Sequence, residues 1–468
     1  MYGGPSRHIR SFNELHKYTK EDFFMSNEKV MNRWLVVVGA ILIQLALGAI
    51  YAWSVFTPKL TSADGVYKFT AGEAAWIFSA GLFFFALVMV WAGRKLATIG
   101  PQKLAIAGGL VLGAGYVLAG FFGNSFLTQL VFIGIIGGSG IGLAYVVPIA
   151  VGVKWFPDKK GMLTGLAVAG FGFGATIWVK WAGSWGGGLL NTLQIAGLDG
   201  VRSVFLLYGI IFAGMVIVGS LVMKDPPAGW LPEGYTPPDA SSAGLSGSVA
   251  FETSEMLKTP QFYMLFVTFV FSALAGLMVI YCIKLFGIDA LTFNKLGSLD
   301  STNPNFAATK EWASATAGTA MAIYAILNGL GRIIWGTVSD KIGRKLALFL
   351  MCLFQGIIML FFFKLGGTVV GLIVSAAIIG FNFGGNFALF PAATADFFGN
   401  TTVGKNYGFV FFAYGIAGIA GPQIAGIFKD AASNATDPSA WITPFIIAGC
   451  ACLAGALIML MAKPPKKA

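Results

Sequence analysis

Charged side chains are scarce in this sequence. Asp, Glu, Lys and Arg together make up 11% of the 468 residues, whereas an average soluble protein has about 25%. So few charges cannot cover the surface of a water-soluble globule of this size. Hydrophobic residues make up 56% of the chain, and its mean hydropathy is +0.77. The composition therefore excludes a soluble domain and indicates a protein of the lipid bilayer.

Histidine and cysteine are also rare, and this limits the chemistry that the chain can perform. Its two histidines, His8 and His16, lie in the polar N-terminal tail, so we expect no imidazole metal site and no histidine-based catalysis inside the membrane. The four cysteines occur singly or as one Cys-Ala-Cys pair, without the spacing of a zinc or redox site. We therefore expect no metal, no cofactor and no enzymatic activity.

Apolar residues form continuous runs of about 20 residues. A transmembrane helix needs about 20 such residues, whereas the strands of a membrane barrel alternate over roughly 10. The sequence therefore predicts an all-α membrane protein with twelve transmembrane helices. The predicted spans are 34–57, 73–93, 104–123, 127–153, 161–183, 203–223, 260–283, 314–337, 346–364, 369–395, 404–428 and 439–461. A loop is predicted at residues 287–312, between spans seven and eight.

The basic residues predict the orientation of these spans. Most of the 31 Lys and Arg residues lie in the N-terminal tail, in the loops on the same side and at the C-terminal end. Because cytoplasmic loops carry an excess of Lys and Arg, we expect both termini in the cytoplasm and a multi-pass protein of the plasma (inner) membrane. The same distribution explains the net charge of +11 without a nucleic-acid partner.

The chain divides into two similar halves. The polar stretch 224–258, rich in Pro, Gly and Ser, predicts a cytoplasmic linker between a half at 32–223 and a half at 259–468, after a cytoplasmic tail at 1–31. An offset of 243 residues superimposes glycines and prolines at matching points of the span order. These pairs are Gly93 with Gly336, Gly100 with Gly343, Pro148 with Pro391, and Gly161 with Gly404. Two six-helix pseudo-repeats predict a transporter with a central path.

One arginine lies well inside an apolar span. Arg332 stands in the eighth span, and no span has a carboxylate near its middle. An arginine at the bilayer centre costs about 2.5 to 3.5 kcal/mol on insertion scales, and its planar fork matches a carboxylate. Tyr324, Asn328 and Arg332 share one helix face, which we expect to line the path. The alternative is a structural arginine satisfied by carbonyls and water at the cytoplasmic end.

Several motifs resemble those of the major facilitator superfamily. The string GTVSDKIGRK matches the family's gating loop between spans eight and nine. The matching residues are Gly336, Asp340, Gly343, Arg344 and Lys345. In the first-half copy Ala97 stands in place of the acid, and the basic pair is reduced to Gln102 and Lys103. In the family, the acid and the basic residues of this motif help to latch the two halves together on the cytoplasmic side. The resemblance therefore implies that this latch is weaker in the present chain or relies on the second copy.

Within the superfamily, the chain resembles the oxalate/formate antiporter family over nearly all of residues 32–463. The matching strings include NRWLVVVGAILIQLALGAIYAWSVF, KWFPDKKGMLTG, DPPAGWLPEGY, SEMLKTPQFYML, ALFPAATADFFG and NYGFVFF. The resemblance implies that Arg332 binds substrate. It also implies that site aromatics fall on Tyr51, Tyr145, Phe171, Phe383, Phe387 and Phe411. Core packing or lipid contact is the alternative for each phenylalanine.

Three further polar residues belong to the expected site. Tyr414 stands where the oxalate transporter has a lysine, and it shares a helix face with Tyr407 and Phe411. Asn382 and Asn386 either donate to a carboxylate or bridge helices. A single cation balances one carboxylate, whereas an oxalate dianion would leave a net negative charge in low dielectric. The sequence therefore favours lactate, pyruvate, formate or acetate as cargo, with oxalate second.

The predicted activity is secondary active transport by alternating access. The more distant monocarboxylate transporters have a proton-accepting acid four residues before the span-eight arginine, where this chain has Asn328. Exchange for a counter-anion and symport of a proton both stay open, and an anion channel or a carboxylate sensor is the further alternative. The expected partners are a small carboxylate and the bilayer, with the chain as a monomer. Lys180 either extends to the membrane interface or draws anions inwards.

Overall fold

Long helices account for most of the chain. The computed structural model describes residues 30–156, 160–227, 230–234, 250–399, 403–431, 435–463 and 465. The long helices are α1 (Arg33–Leu60), α2 (Ala71–Ile99), α3 (Pro101–Phe122), α4 (Phe126–Gly152), α5 (Lys160–Gly183), α6 (Gly200–Ser220), α7 (Pro260–Leu296), α8 (Phe306–Ile342), α9 (Arg344–Leu365), α10 (Val369–Phe398), α11 (Val403–Ala431) and α12 (Ile442–Met461). The described residues contain no strand.

These helices are suited to a bilayer. Among the described residues, eleven helices are long and apolar enough to cross a membrane, and α5 adds a twelfth helix of 24 residues. Large apolar side chains are exposed on α3, α6, α9 and α12, including Leu110, Ile210, Phe361 and Leu457. Such a surface suits contact with lipid, where it costs nothing to leave apolar groups outside. The predicted all-α membrane fold is confirmed.

The helix packing repeats after six helices. α3 packs on α6 as α9 packs on α12, α2 on α4 as α8 on α10, and α1 on α5 as α7 on α11. The boundaries repeat too, since Gly100 and Gly343 each precede the next helix with φ of +87° and +86°. Only glycine adopts such a φ without strain, which explains why the 243-residue offset preserves it. The two six-helix pseudo-repeats are confirmed.

The predicted loop at 287–312 is wrong. α7 and α8 are each 37 residues long, so only residues 297–305 connect them. The extensions carry charged residues such as Asp289, Lys295, Lys310 and Glu311, and these lowered the hydropathy on which the span boundaries were drawn. A helix does not have to end where the apolar run ends. The tail 1–29 and linker residues 235–249 lie outside the described residues.

α1 changes its winding close to the centre of the bundle. Residues Gly48–Ala52 form a 3₁₀ segment within it. A Cβ added at Gly48 would lie 2.0 Å from the carbonyl oxygen of Phe171 in α5, so only glycine allows these backbones to approach so closely. The segment carries Tyr51, which is buried. The close contact of α1 with α5 therefore presents this tyrosine to the interior of the bundle.

The largest contacts between the two halves are those of α2 with α11 and of α5 with α8. We call the end of the bundle where α1 begins the terminal face, and the end where α1 stops the distal face. A Cβ at Gly172 of α5 would lie 2.8 Å from Gly329 N of α8. Near the distal face, a Cβ at Gly426 of α11 would lie 3.2 Å from the Cα of Gly72. Small residues thus bring the halves into backbone contact.

Candidate functional site

Arg332 is fully buried in the middle of the molecule. Its Nη1 donates to the carbonyl oxygen of Val168 at 2.8 Å. Its Nη2 and Nε donate to Asn328 Oδ1 at 3.0 and 3.3 Å. Val168 belongs to α5 and Asn328 to α8, so the guanidinium joins the two halves. These bonds fix the orientation of the side chain before any ligand arrives.

Among the residues that the structure describes, the positive charge of Arg332 has no acidic partner. Within the described residues, none of the ion pairs includes Arg332. A guanidinium has five N–H donors, and three of them are used in the bonds to Val168 and Asn328. The hydroxyls of Tyr51 and Tyr145 also interact with it. A buried cation that is hydrogen-bonded but not neutralised is suited to an incoming anion.

Aromatic rings enclose the guanidinium. We call this group the aromatic cage, and it consists of Tyr51, Phe85, Tyr145, Phe171, Phe383, Phe387, Phe411 and Tyr414. The Arg332 Cζ lies 4.0 Å from the ring centroid of Phe387 and 5.4 Å from that of Phe171. Rings so placed stabilise a cation through their negative faces. The structure thus brings together all six family-implied aromatics and Tyr414.

The cage joins both halves of the molecule. Tyr51 and Tyr414 share a hydrogen bond of 2.9 Å between their hydroxyls, and these residues stand on α1 and α11. Tyr407 packs one turn away, with its ring centroid 5.7 Å from that of Phe411. Each cage residue is buried. A movement of one half against the other would therefore change the shape of this cage directly.

The sequence analysis missed Phe85. This ring on α2 lies 4.9 Å from Tyr145, 5.4 Å from Phe411 and 5.8 Å from Tyr414, measured between centroids. Phe83, Phe84 and Phe85 are consecutive in the sequence, so the run itself does not reveal which ring faces inwards. Phe83 packs on Phe412 instead. Only the rotation of α2 against α11 selects Phe85.

Tyr324 and the asparagines of α10 have helix partners. The Tyr324 hydroxyl donates to the carbonyl oxygen of Gly276 at 3.1 Å. Asn382 Oδ1 accepts from Trp335 Nε1 at 3.3 Å, and Asn386 Oδ1 accepts from Ser272 Oγ at 2.7 Å. Of the two readings left open, helix bridging accounts for these oxygens. The Nδ2 atoms of Asn382, Asn386 and Asn328 are buried without a partner among the described residues.

The gating motif forms a network within the second half. Arg344 pairs with Asp340 at 2.6 Å and with Asp396 at 3.3 Å, and both acids belong to the second half. Lys345 and Gly336 stand on the helices at either side of Gly343. Within the described residues, the bonds of Arg344 therefore hold α8, α9 and α10 together and do not cross to the first half. The expected latch between halves stays a prediction.

Among the described residues, the two halves contact each other towards both faces. At the distal face the carboxylate of Asp430 accepts from the backbone N–H groups of Ala71 and Gly72, both at 2.8 Å. The Tyr281 hydroxyl donates to the Ala71 carbonyl. Towards the terminal face, a Cβ at Gly408 would lie 3.5 Å from the Cα of Val90. Arg332 and its cage thus lie between these two sets of contacts, which we call the distal and the terminal closure.

Comparison with known proteins identifies the family. The model of the Major Facilitator Superfamily matches residues 31–301 and 291–468. This chain belongs to the Major Facilitator Superfamily. A crystallised nucleoside transporter, NupG, shares the fold with a TM-score of 0.62 at 13% identity, covering 91% of this chain and 99% of its own. At that identity the likeness concerns the fold alone.

Several curated proteins are similar over most of their length. The uncharacterized MFS-type transporter YhjX of Escherichia coli is 28% identical, covering 83% of this chain and 86% of its own. The oxalate:formate antiporter of Oxalobacter formigenes is 25% identical, covering 93% of this chain and 94% of its own. Apicoplast pyruvate carrier 1 of Toxoplasma gondii is 26% identical over 81% of each. The resemblance to the oxalate/formate antiporter family is confirmed, and these relatives indicate transport rather than catalysis.

Proposed function

We propose that this protein is a secondary active transporter of small monocarboxylates and that Arg332 binds the carboxylate of the cargo. The observation that carries this proposal is a fully buried guanidinium without an acidic partner among the described residues. An uncompensated buried charge is costly. A carboxylate anion neutralises it, and the bidentate geometry of guanidinium and carboxylate adds strength.

The surroundings of Arg332 support a small cargo with an apolar body. The cage is built of rings, with hydroxyl groups on Tyr51, Tyr145 and Tyr414. Lactate or pyruvate would place its carboxylate on Arg332 and its methyl group against rings. The pyruvate carrier among the relatives supports this class. Oxalate exchange is the second candidate, favoured by the oxalate:formate antiporter, but Tyr414 supplies no second cation.

The way the site is enclosed supports alternating access as the mechanism. Arg332 bonds to both halves, and closures lie at both faces. Opening either closure exposes the same arginine to one side of the membrane. Because Asn328 does not titrate, no acid among the described residues is next to Arg332 to couple a proton. Exchange of one anion for another is therefore the proposed mode, by a monomer in a plasma membrane with both termini in the cytoplasm.

Uptake into proteoliposomes tests the proposal. We expect saturable uptake of labelled lactate, stimulated by a counter-anion inside the vesicles, and a fall of about tenfold or more in Arg332→Lys, because lysine lacks the bidentate fork. Arg202→Lys is the matched control, since Arg202 also donates to carbonyl oxygens but lies outside the cage. Unchanged uptake in Arg332→Lys contradicts the site. Uptake that never saturates indicates a channel.

A further inference from the structure

A lysine of α7 has no partner in the described part of the chain, although it lies within the bundle. Lys284 is partly buried, and within the described residues it makes no ion pair and no hydrogen bond. It stands 24 residues after Pro260, which is about 36 Å along the helix. The predicted span ended at residue 283, so the sequence analysis placed this lysine just outside the membrane.

The helix face shows where Lys284 is directed. Tyr281, Lys284 and Ile288 share one face of α7 by their spacing. Tyr281 on that face donates to the Ala71 carbonyl in the first half, whereas Phe286, on the other side, packs on Phe362 and Phe445 within the second half. Lys284 is therefore turned towards the interface of the halves and away from lipid, one helical turn beyond the contact of Tyr281.

Two more lysines converge on this place from the first half. Lys59 stands near the end of α1, in the segment Trp53–Leu60 that packs on α7. Lys180 stands near the end of α5 and donates to Thr319 Oγ1 of α8 at 3.2 Å. The ammonium groups of both lysines repel that of Lys284. Positive charges gathered at one entrance to the bundle raise the local concentration of anions.

The nearby carboxylates do not neutralise this group. Asp430 accepts from the amides of Ala71 and Gly72. Asp289, further along α7, pairs with Lys429 at 2.6 Å and accepts from Trp441 Nε1 at 2.9 Å. Both acids are thus already engaged elsewhere, and within the described residues none of the three lysines forms an ion pair with a carboxylate.

We propose that Lys59, Lys180 and Lys284 form a cationic antechamber at the distal face, which binds a carboxylate anion before it passes the distal closure and reaches Arg332. The closure by Asp430 and Tyr281 separates the antechamber from the aromatic cage. The cargo thus has two cationic sites in sequence along one path. This proposal extends the proposed function and rests on it for the identity of the anion.

A first experiment reads the charge of the antechamber without any transport. Lys284→Cys and the control Lys364→Cys, an exposed lysine near the same face, are made in a Cys450→Ser background. The purified proteins react with an anionic and with a cationic methanethiosulfonate. For each variant the measured quantity is the ratio of its reaction rate with the anionic reagent to its rate with the cationic reagent. We expect this ratio to be about fivefold higher at position 284 than at position 364, because Lys59 and Lys180 still attract anions there. High salt should abolish the difference. Equal preferences at the two positions overturn the antechamber.

A second experiment measures its effect on transport. In vesicles with the distal face outside, Lys284→Gln should raise the KM for lactate about threefold to tenfold at low ionic strength and leave kcat nearly unchanged. Lys284→Arg should retain the wild-type KM, as should Lys364→Gln. An unchanged KM in Lys284→Gln contradicts the proposal. If the wild type moves no carboxylate, the proposed function fails, and the reagent preference alone then decides the antechamber.

Discussion

At the scale of single residues, the site is defined by what surrounds one buried charge. Arg332 is held by Asn328 and Val168 and faces rings rather than acids. Arg332 supplies a single positive charge to the site, because its neighbour Asn328 is uncharged and Tyr414 contributes only a hydroxyl group, which is hydrogen-bonded to Tyr51. The net charge of the cargo is therefore the property that we expect this site to discriminate most strongly.

A change at Tyr414 tests this discrimination. Tyr414→Lys would add a second cation to the cage, and a dianion then gains a partner for its other carboxylate. We expect the ratio of oxalate to lactate uptake to rise about tenfold, which corresponds to about 1.4 kcal/mol. Competition between the two labelled anions measures it. Tyr414→Phe is the control, since it removes the bond to Tyr51 without adding charge; the same ratio in all three proteins would refute the charge argument.

At the scale of helices, the distal closure depends on a carboxylate in an unusual place. Asp430 lies at the C-terminal end of α11, where a negative charge is unfavourable for its own helix. It accepts from the first N–H groups of α2, and an anion is favourable at that helix N-terminus. The acid therefore acts between helices and stabilises the contact of one half with the other.

Asp430→Asn should weaken this closure. The loss of charge-assisted bonds costs about 1 kcal/mol or more, so the fraction of molecules open at the distal face should rise about fivefold. The readout is the reaction of Ser54→Cys with an impermeant thiol reagent, since Ser54 is buried against Met321 of the other half. Asp437→Asn serves as the control, because Asp437 accepts from Ser439 and lies exposed. A reaction rate equal to that of the parent argues against the closure.

The sequence predicted the helices well, but it predicted less well which side chains face the site and where the helices end. Arg332 was found because a charge in an apolar run is costly wherever the helix packs. The aromatics came from family motifs, and the repeat from glycines such as Gly100 and Gly343. Phe85 was missed because which of three consecutive rings faces inwards depends on helix rotation. Lys284 was placed just outside the membrane because hydropathy reports the bilayer and not the end of a helix.

At the scale of the whole molecule, the two halves meet across small residues. The contact of Gly172 with Gly329 lies near the cage, and the contact of Gly426 with Gly72 lies near the distal face. Both contacts are made in this closed state, and both depend on the absence of a side chain at the glycine positions. A carrier that exchanges anions has to pass through this state in every half-cycle.

Gly172→Ala should therefore slow exchange. The added Cβ would lie 2.8 Å from Gly329 N, and backbone that has to move apart costs about 1 to 3 kcal/mol, so we expect an exchange rate about tenfold lower. Gly214→Ala on α6 is the matched control, because a Cβ there meets nothing within 4 Å. Exchange of labelled lactate measures both variants, and size-exclusion chromatography shows that both are folded. Wild-type exchange in Gly172→Ala would mean that the halves need not close at this contact.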